Sequence, residues 1–158
     1  MAKRMSELRP SPEDRPPAED VHVLIVDDNE INLKILESFM RKIGSSFETA
    51  SNGLAAVEKY KKSKRQFDFI LMGMFHEQVF TGSVLMTVDI SMPIMDGITA
   101  SSRIRDYEQT HGLLRTTIMA VTGVASSSMQ ERAFDAGVDD YLIKPLSLNE
   151  LKRIMNVK

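Results

Sequence analysis

Four places in the sequence put a reactive side chain directly behind an apolar run. Asp27 and Asp28 follow VHVLIV, Asp89 follows VLMTV, Thr122 follows TIMAV, and Lys144 follows YLI. If these runs are neighbouring strands of one sheet, their ends bring three carboxylates, a hydroxyl and an ammonium onto one rim. Carboxylates so crowded repel: two unit charges about 4 Å apart interact by roughly 4 kcal/mol at an effective dielectric near 20. A divalent cation relieves that repulsion, and oxygen donors without Cys or His suit Mg2+ or Mn2+. Mg2+ takes one or two carboxylates, keeps waters and accepts phosphoryl oxygens, so the set suits phosphoryl chemistry better than peptide or ester hydrolysis. A carboxylate can itself be the nucleophile and become an aspartyl-phosphate. The metal, lysine and hydroxyl would spread the charge of the transferring group. Each residue alone has a plainer reading. An Asp pair after a strand makes a turn and helix cap, Thr122 is a strand-end hydroxyl, and Lys144 before Pro145 is a solvated lysine. Their coincidence on one rim favours the site.

The elements that would position these groups alternate in type. Val21–Val26 is a β-branched run typical of a strand buried on both faces. Ile31, Ile35, Phe39 and Ile43 recur every four residues with Leu36 and Met40 beside them, a helical period that Gly44 ends. Ser46–Ala50 predicts a second strand. Asn52-Gly53 reads as the start of a helix over Leu54–Lys62 rather than as a hairpin, because LAAVEKYKK has helical character. A weak helix is expected at about Ile98–Gln109 and a strand at Thr117–Val121. Ser127-x-x-Gln130 and Ser128-x-x-Glu131 are overlapping capping boxes for a helix that Gly137 closes. A strand at Tyr141–Ile143 and a helix capped by Ser147-x-x-Glu150 complete the series. Such alternation argues for an α/β fold: one doubly wound, five-stranded parallel sheet with helices on both faces. Ligands of such folds lie beyond the carboxyl ends of the strands, where the strand order switches.

Composition excludes several classes. The chain has 158 residues, 42% hydrophobic and 27% charged, an ordinary composition for one globular domain. Net charge is −2, which gives no basic footprint for nucleic acid and no polybasic membrane patch. No cysteine is present, so disulfides, thiolate metal sites and cysteine nucleophiles are excluded, and a reducing, cytoplasmic setting fits. No apolar run reaches the roughly 18 residues of a membrane span. Residues 1–20, with four prolines and no apolar h-region, read as a disordered arm rather than a signal peptide, leaving 21–158 as the folded domain. Met92, Met95 and Met119 read as core filler. His22, His76 and His111 share no ligand spacing.

VLIVDDNEINLKIL, DISMPIMDG, AVTG and DYLIKP together resemble the receiver domain of two-component response regulators, most of all the CheY-like receivers at the C-termini of fungal hybrid histidine kinases. The resemblance covers about Val21–Met155. It implies that Asp89 is the phosphoacceptor and that Asp27 and Asp28 form the Mg2+ pocket, with the Ser91 backbone carbonyl as a further metal contact. Thr122 becomes the switch hydroxyl, Tyr141 the aromatic switch residue, and Lys144 the phosphoryl contact, its bond to Pro145 expected to be cis. Phosphorylation would then shift a two-state equilibrium of the surface around the fourth and fifth helices. No phosphoacceptor-His helix and no Gly-rich ATP-binding box occurs, so the donor would be a histidine kinase or a His-containing phosphotransfer protein.

The sequence departs from that family at one place. The family pattern runs from FDFILM directly into DISMP, whereas here GMFHEQVFTGSVLMTV, residues 73–88, intervenes. Deleting it restores FDFILMDISMPIMDG in frame. The segment reads as a translated short intron or an equivalent insertion: Gly73-Met74 permits a GTATG donor and Val88-Asp89 a GTAG acceptor. A tolerated loop is the alternative. Two runs, Phe69–Met72 and Val84–Val88, then compete for the central strand. The first is preferred, because its link to the preceding helix is short and long loops are uncommon in compact domains. In that case Gly73 takes the acceptor's place. Three functions follow: a phosphorelay receiver, a phosphorylation-incompetent module that still docks a kinase or phosphotransfer partner, and a Mg2+-dependent phosphohydrolase. The last is disfavoured, because no DxD follows a strand.

Overall fold

The computed structural model describes residues 21–74, 95–123 and 127–155, apart from the side chain of Met129. Short apolar runs form the middle of the sheet: β1 (His22–Val26), β3 (Phe69–Gly73) and β4 (Thr117–Thr122), almost wholly buried. The more polar β2 (Ser46–Ala50) and β5 (Asp140–Ile143) take the edges, where half-exposed residues are tolerated. The order is β2-β1-β3-β4-β5 and every pairing is parallel. The order reverses at β1 and β3, so their carboxyl ends border the expected crevice.

Side chains alternate across this sheet and divide the core in two. Leu24, Val26, Ile70, Met72, Ile118 and Ala120 pack with Ala56, Val57 and Tyr60 of α2 (Gly53–Lys62) and with Ala100 and Ile104 of α3 (Gly97–His111). Ala133 of α4 (Ser127–Asp135) joins the same layer. On the other face Val23, Ile25, Phe69, Leu71, Met119 and Val121 meet α1 (Glu30–Ile43) and α5 (Leu148–Met155). This is the doubly wound five-stranded architecture anticipated from the alternation of elements.

The helix termini follow their sequence signals with one exception. Gly44 takes φ 89° at the end of α1, and Asn52 accepts a hydrogen bond from Ala55 N at the start of α2. Ser147 Oγ accepts from Glu150 N, capping α5. Ser127 and Ser128, expected as caps of α4, instead lie within its first turn, and the residues before them are outside the described set. A second difference concerns α1. Ile31 and Ile35 are exposed, while Leu36, Met40 and Ile43 are buried. A step of four residues drifts about 40° around a helix, so the series that begins outward at Ile31 turns into the core only by Ile43.

The contest for the central place goes to Phe69–Gly73, as preferred from the short link. The two residues before it fix its entry. Phe67 is buried and its carbonyl accepts from Thr116 Oγ1 at 2.9 Å. Asp68 exchanges bonds with His22: its carboxylate accepts from His22 N and its own N–H donates to His22 O, both at 2.8 Å. Val84–Val88 lies outside the described residues.

Candidate functional site

β1 ends at Val26, and the next two residues project from the rim. Asp27 N still donates to Ala50 O at 3.1 Å, so the ladder holds its backbone in place. The Asp27 side chain is 2% exposed. Its Oδ1 accepts from Asn29 N at 2.9 Å and its Oδ2 from Lys144 Nζ at 3.0 Å. Asn29 in turn caps α1, accepting from Ile31 N and Asn32 N. One short turn therefore sets both the first carboxylate and the start of α1. Asp28 is exposed beside it, its pKa raised first by partial burial and then by the negative charge of Asp27, with Lys144 pulling the other way.

The other strands bring their groups to the same rim. Thr122 is the last residue of β4 and buried, and its carbonyl accepts from Lys144 N at 2.7 Å. Lys144 follows β5, and its bond to Pro145 is cis, as expected. Its ammonium reaches Asp27 across the ends of β4 and β3, joining residues 117 apart in sequence. Tyr141 stands opposite Ala120 in β5, partly buried against the layer that holds α2, α3 and α4.

The seat at the end of the central strand holds glycine. Val26 pairs with Met72 and Val121 with Gly73, which sets Gly73 level with Asp27. Met74 N continues the ladder onto Val121 O at 2.9 Å, and Met74 is buried. α3 packs tightly here: a Cβ on Gly97 would lie 2.5 Å from Gly73 O. A Cβ on Gly53 would lie 2.7 Å from Asp96 O, so the chain entering α3 is seated against α2. Asp89 and Ser91 lie outside the described residues, as does Met92. Among the described residues the rim thus collects Asp27, Asp28, Thr122 and Lys144, and no group of three acidic or His side chains able to hold a metal. Asn29 and the paired glycines were missed from sequence. The Asx residue just before an apolar helical period was the available signal for Asn29; the glycine contacts are tertiary and had none.

The profile of the response regulator receiver domain matches residues 76–156. The chain belongs to the response-regulator receiver family. Hybrid signal transduction histidine kinase G of Dictyostelium discoideum is 38% identical over 140 residues, covering 87% of this chain. The chain spans only 4% of that relative's length. Among solved structures, the receiver domain of the Saccharomyces cerevisiae response regulator Ssk1, crystallised with the histidine phosphotransfer protein Ypd1, is 31% identical with a TM-score of 0.68 and 87% coverage of both chains. The receiver domain of a Pseudomonas aeruginosa sensor histidine kinase, with a magnesium ion in its active site cleft, is 29% identical with a TM-score of 0.66, covering 86% of this chain and 94% of that one. The matched profile begins within the segment that departs from the family pattern and runs through DISMP. Among the described residues no helix is long and apolar enough to cross a membrane.

Proposed function

We propose that this chain, residues 21–158, is a phosphorelay receiver in which Asp89 takes a phosphoryl group from a phosphohistidine protein. The donor class is a histidine kinase or a His-containing phosphotransfer protein, neither nucleic acid nor membrane being a partner. One observation carries the reading: Lys144 lies 3.0 Å from the buried Asp27, on the rim that Thr122 shares. A lysine and a hydroxyl beside paired carboxylates form a site prepared for a group with its own negative charge. In the transfer, a carboxylate oxygen of Asp89 forms the new O–P bond. The N–P bond of the donor breaks, and the imidazole nitrogen keeps the electron pair. Lys144 and Thr122 stabilise the transferred oxygens. Tyr141 follows Thr122, and the α4–β5–α5 surface passes the change to the next partner.

Asp27 and Asp28 suit Mg2+ by the chemistry of the donor set: two adjacent carboxylates, with the pKa of Asp28 raised first by partial burial and then by the charge of Asp27. Asp89 and the Ser91 carbonyl would complete the protein's ligands, and the ion when bound supplies positive charge to the phosphoryl oxygens. Incubation with Mg2+ and acetyl phosphate or beryllofluoride tests the reading. A response that Asp89→Asn abolishes supports it. A second reading is favoured by Gly73 at the end of the central strand: a receiver that docks the same partners without accepting a phosphoryl group. Absence of any response favours this second reading.

A further inference from the structure

We infer that residues 73–88 are a removable block that sets how readily this receiver is phosphorylated. With the block present, Gly73 ends β3 and Asp89 accepts a phosphoryl group far less readily. Without it, Asp89 follows Met72 directly and ends the same strand. The inference rests on the phosphoacceptor reading above and assigns weak and strong acceptance to two lengths of one chain.

The strand register carries this argument. Whatever residue follows Met72 sits level with Asp27 and opposite Val121, because Met72 pairs with Val26 and the next residue with Val121. In the long chain that residue is Gly73; in the shortened chain it is Asp89. A carboxylate there faces the acidic turn and the Lys144 ammonium, while in the long chain the backbone of Gly73 already fills the place. The next position agrees. Met74 is buried and bonded to Val121 O, and deletion replaces it with Ile90, apolar for apolar.

The far side of the block is equally prepared. Met95 O accepts from Gly53 N at 2.9 Å, and Asp96 caps α3 through Thr99 N at 2.7 Å. Gly97 touches the carbonyl of Gly73, so the end of β3 and the start of α3 are already adjacent. The span 90–96 has only to bridge that short gap, and no described element need move. Gly73-Met74 and Val88-Asp89 are residues whose codons can carry splice signals, which would give a route to both lengths.

The test compares the full chain, the Δ73–88 chain, Δ73–88 with Asp89→Asn, and the full chain with Gly73→Asp. Each is incubated with Mg2+ and acetyl phosphate and read by intact mass. The carboxylate oxygen forms an O–P bond as the P–O bond to acetate breaks, and acetate leaves with the electron pair. The expected result is one phosphoryl group on the Δ73–88 chain, lost with Asp89→Asn, and at least about tenfold less on the full chain. Gly73 lies in strand backbone without a positive φ, so Gly73→Asp needs no strained backbone and should gain phosphorylation with the block in place. Equal phosphorylation of the full chain at Asp89 overturns the inference and leaves the phosphoacceptor reading standing. Silence of both Δ73–88 and Gly73→Asp, with cooperative melting, overturns both. If Δ73–88 does not fold, Gly73→Asp decides alone: phosphorylation supports the inference and silence overturns it.

Discussion

Removing charges from the rim one at a time should order the stability of the domain in a way only a strained acidic pocket explains. At 3.0 Å, the Lys144–Asp27 attraction is gross about 5 kcal/mol at an effective dielectric of 20. Desolvation of Asp27 offsets much of it, and Lys144, 32% exposed, keeps water. Lys144→Met leaves a buried carboxylate short of one charged donor and should destabilise by about 1–3 kcal/mol. Asp27→Asn keeps an oxygen for Asn29 N and releases the lysine to solvent, so about 1 kcal/mol is expected. Asp28→Asn should act with the opposite sign. Its raised pKa means that the ionised form opposes folding at neutral pH, and that this penalty fades as pH falls through the folded value toward the ordinary 3.8. Because Asp28 faces water, the gain is no more than about 0.5 kcal/mol. Thermal melts in EDTA should therefore rank Asp28→Asn at or above the unmodified chain, then Asp27→Asn, then Lys144→Met, at about 3–5 °C per kcal/mol. Mg2+ at about ten times its Kd adds roughly 1.4 kcal/mol to the unmodified chain, and should add nothing to Asp28→Asn. A lower melting point for Asp28→Asn in EDTA, or an equal Mg2+ response, would refute the strained-pocket reasoning.

Three further outcomes test how the site is supported. Glu108→Ala removes a fully buried carboxylate that accepts from Arg105, Tyr60 Oη and Thr116 N, each at 2.8 Å, and should destabilise by about 3–5 kcal/mol in urea melts. Tyr60→Phe loses the hydroxyl's bond to Glu108 and its longer contacts with Thr116 Oγ1 and Gln66 Nε2, about 1–2 kcal/mol by the same measurement. Gly97→Ala forces a methyl against Gly73 O and should lower stability by about 1–3 kcal/mol, read as a lower urea midpoint with unchanged slope.

How much of this was legible in the sequence depends on whether function rests on adjacency or on contact. Asp27, Thr122 and Lys144 were legible because each immediately follows or ends a strand, and a parallel sheet delivers all such positions to one rim. The order of elements and most caps were legible for the same local reason. The network of Arg105, Glu108, Tyr60 and Asp139 was not. It joins α2, α3 and the entry of β5 at the opposite rim, and nothing in spacing marks Glu108 as buried rather than solvated. Ile31 and Ile35 marked the helix but not its buried face, because a four-residue repeat is only nearly helical.

The central strand is the instructive case, because two runs of equal apolar character competed for it and hydrophobicity could not choose. The run with the short link took the place, and the polar residue in front of it anchors its entry. Asp68 ties its side chain and its backbone to His22, Phe67 closes the core beneath, and Thr117 N reaches Asp68 O at 3.2 Å. These bonds hold the start of β3 in register with β1 and β4. A strand's identity here is therefore set at its entry, while its chemistry is set at its exit. A segment placed between Met72 and the proposed phosphoacceptor Asp89 therefore leaves the bonds at the entry of β3 untouched and sets Gly73 at its exit.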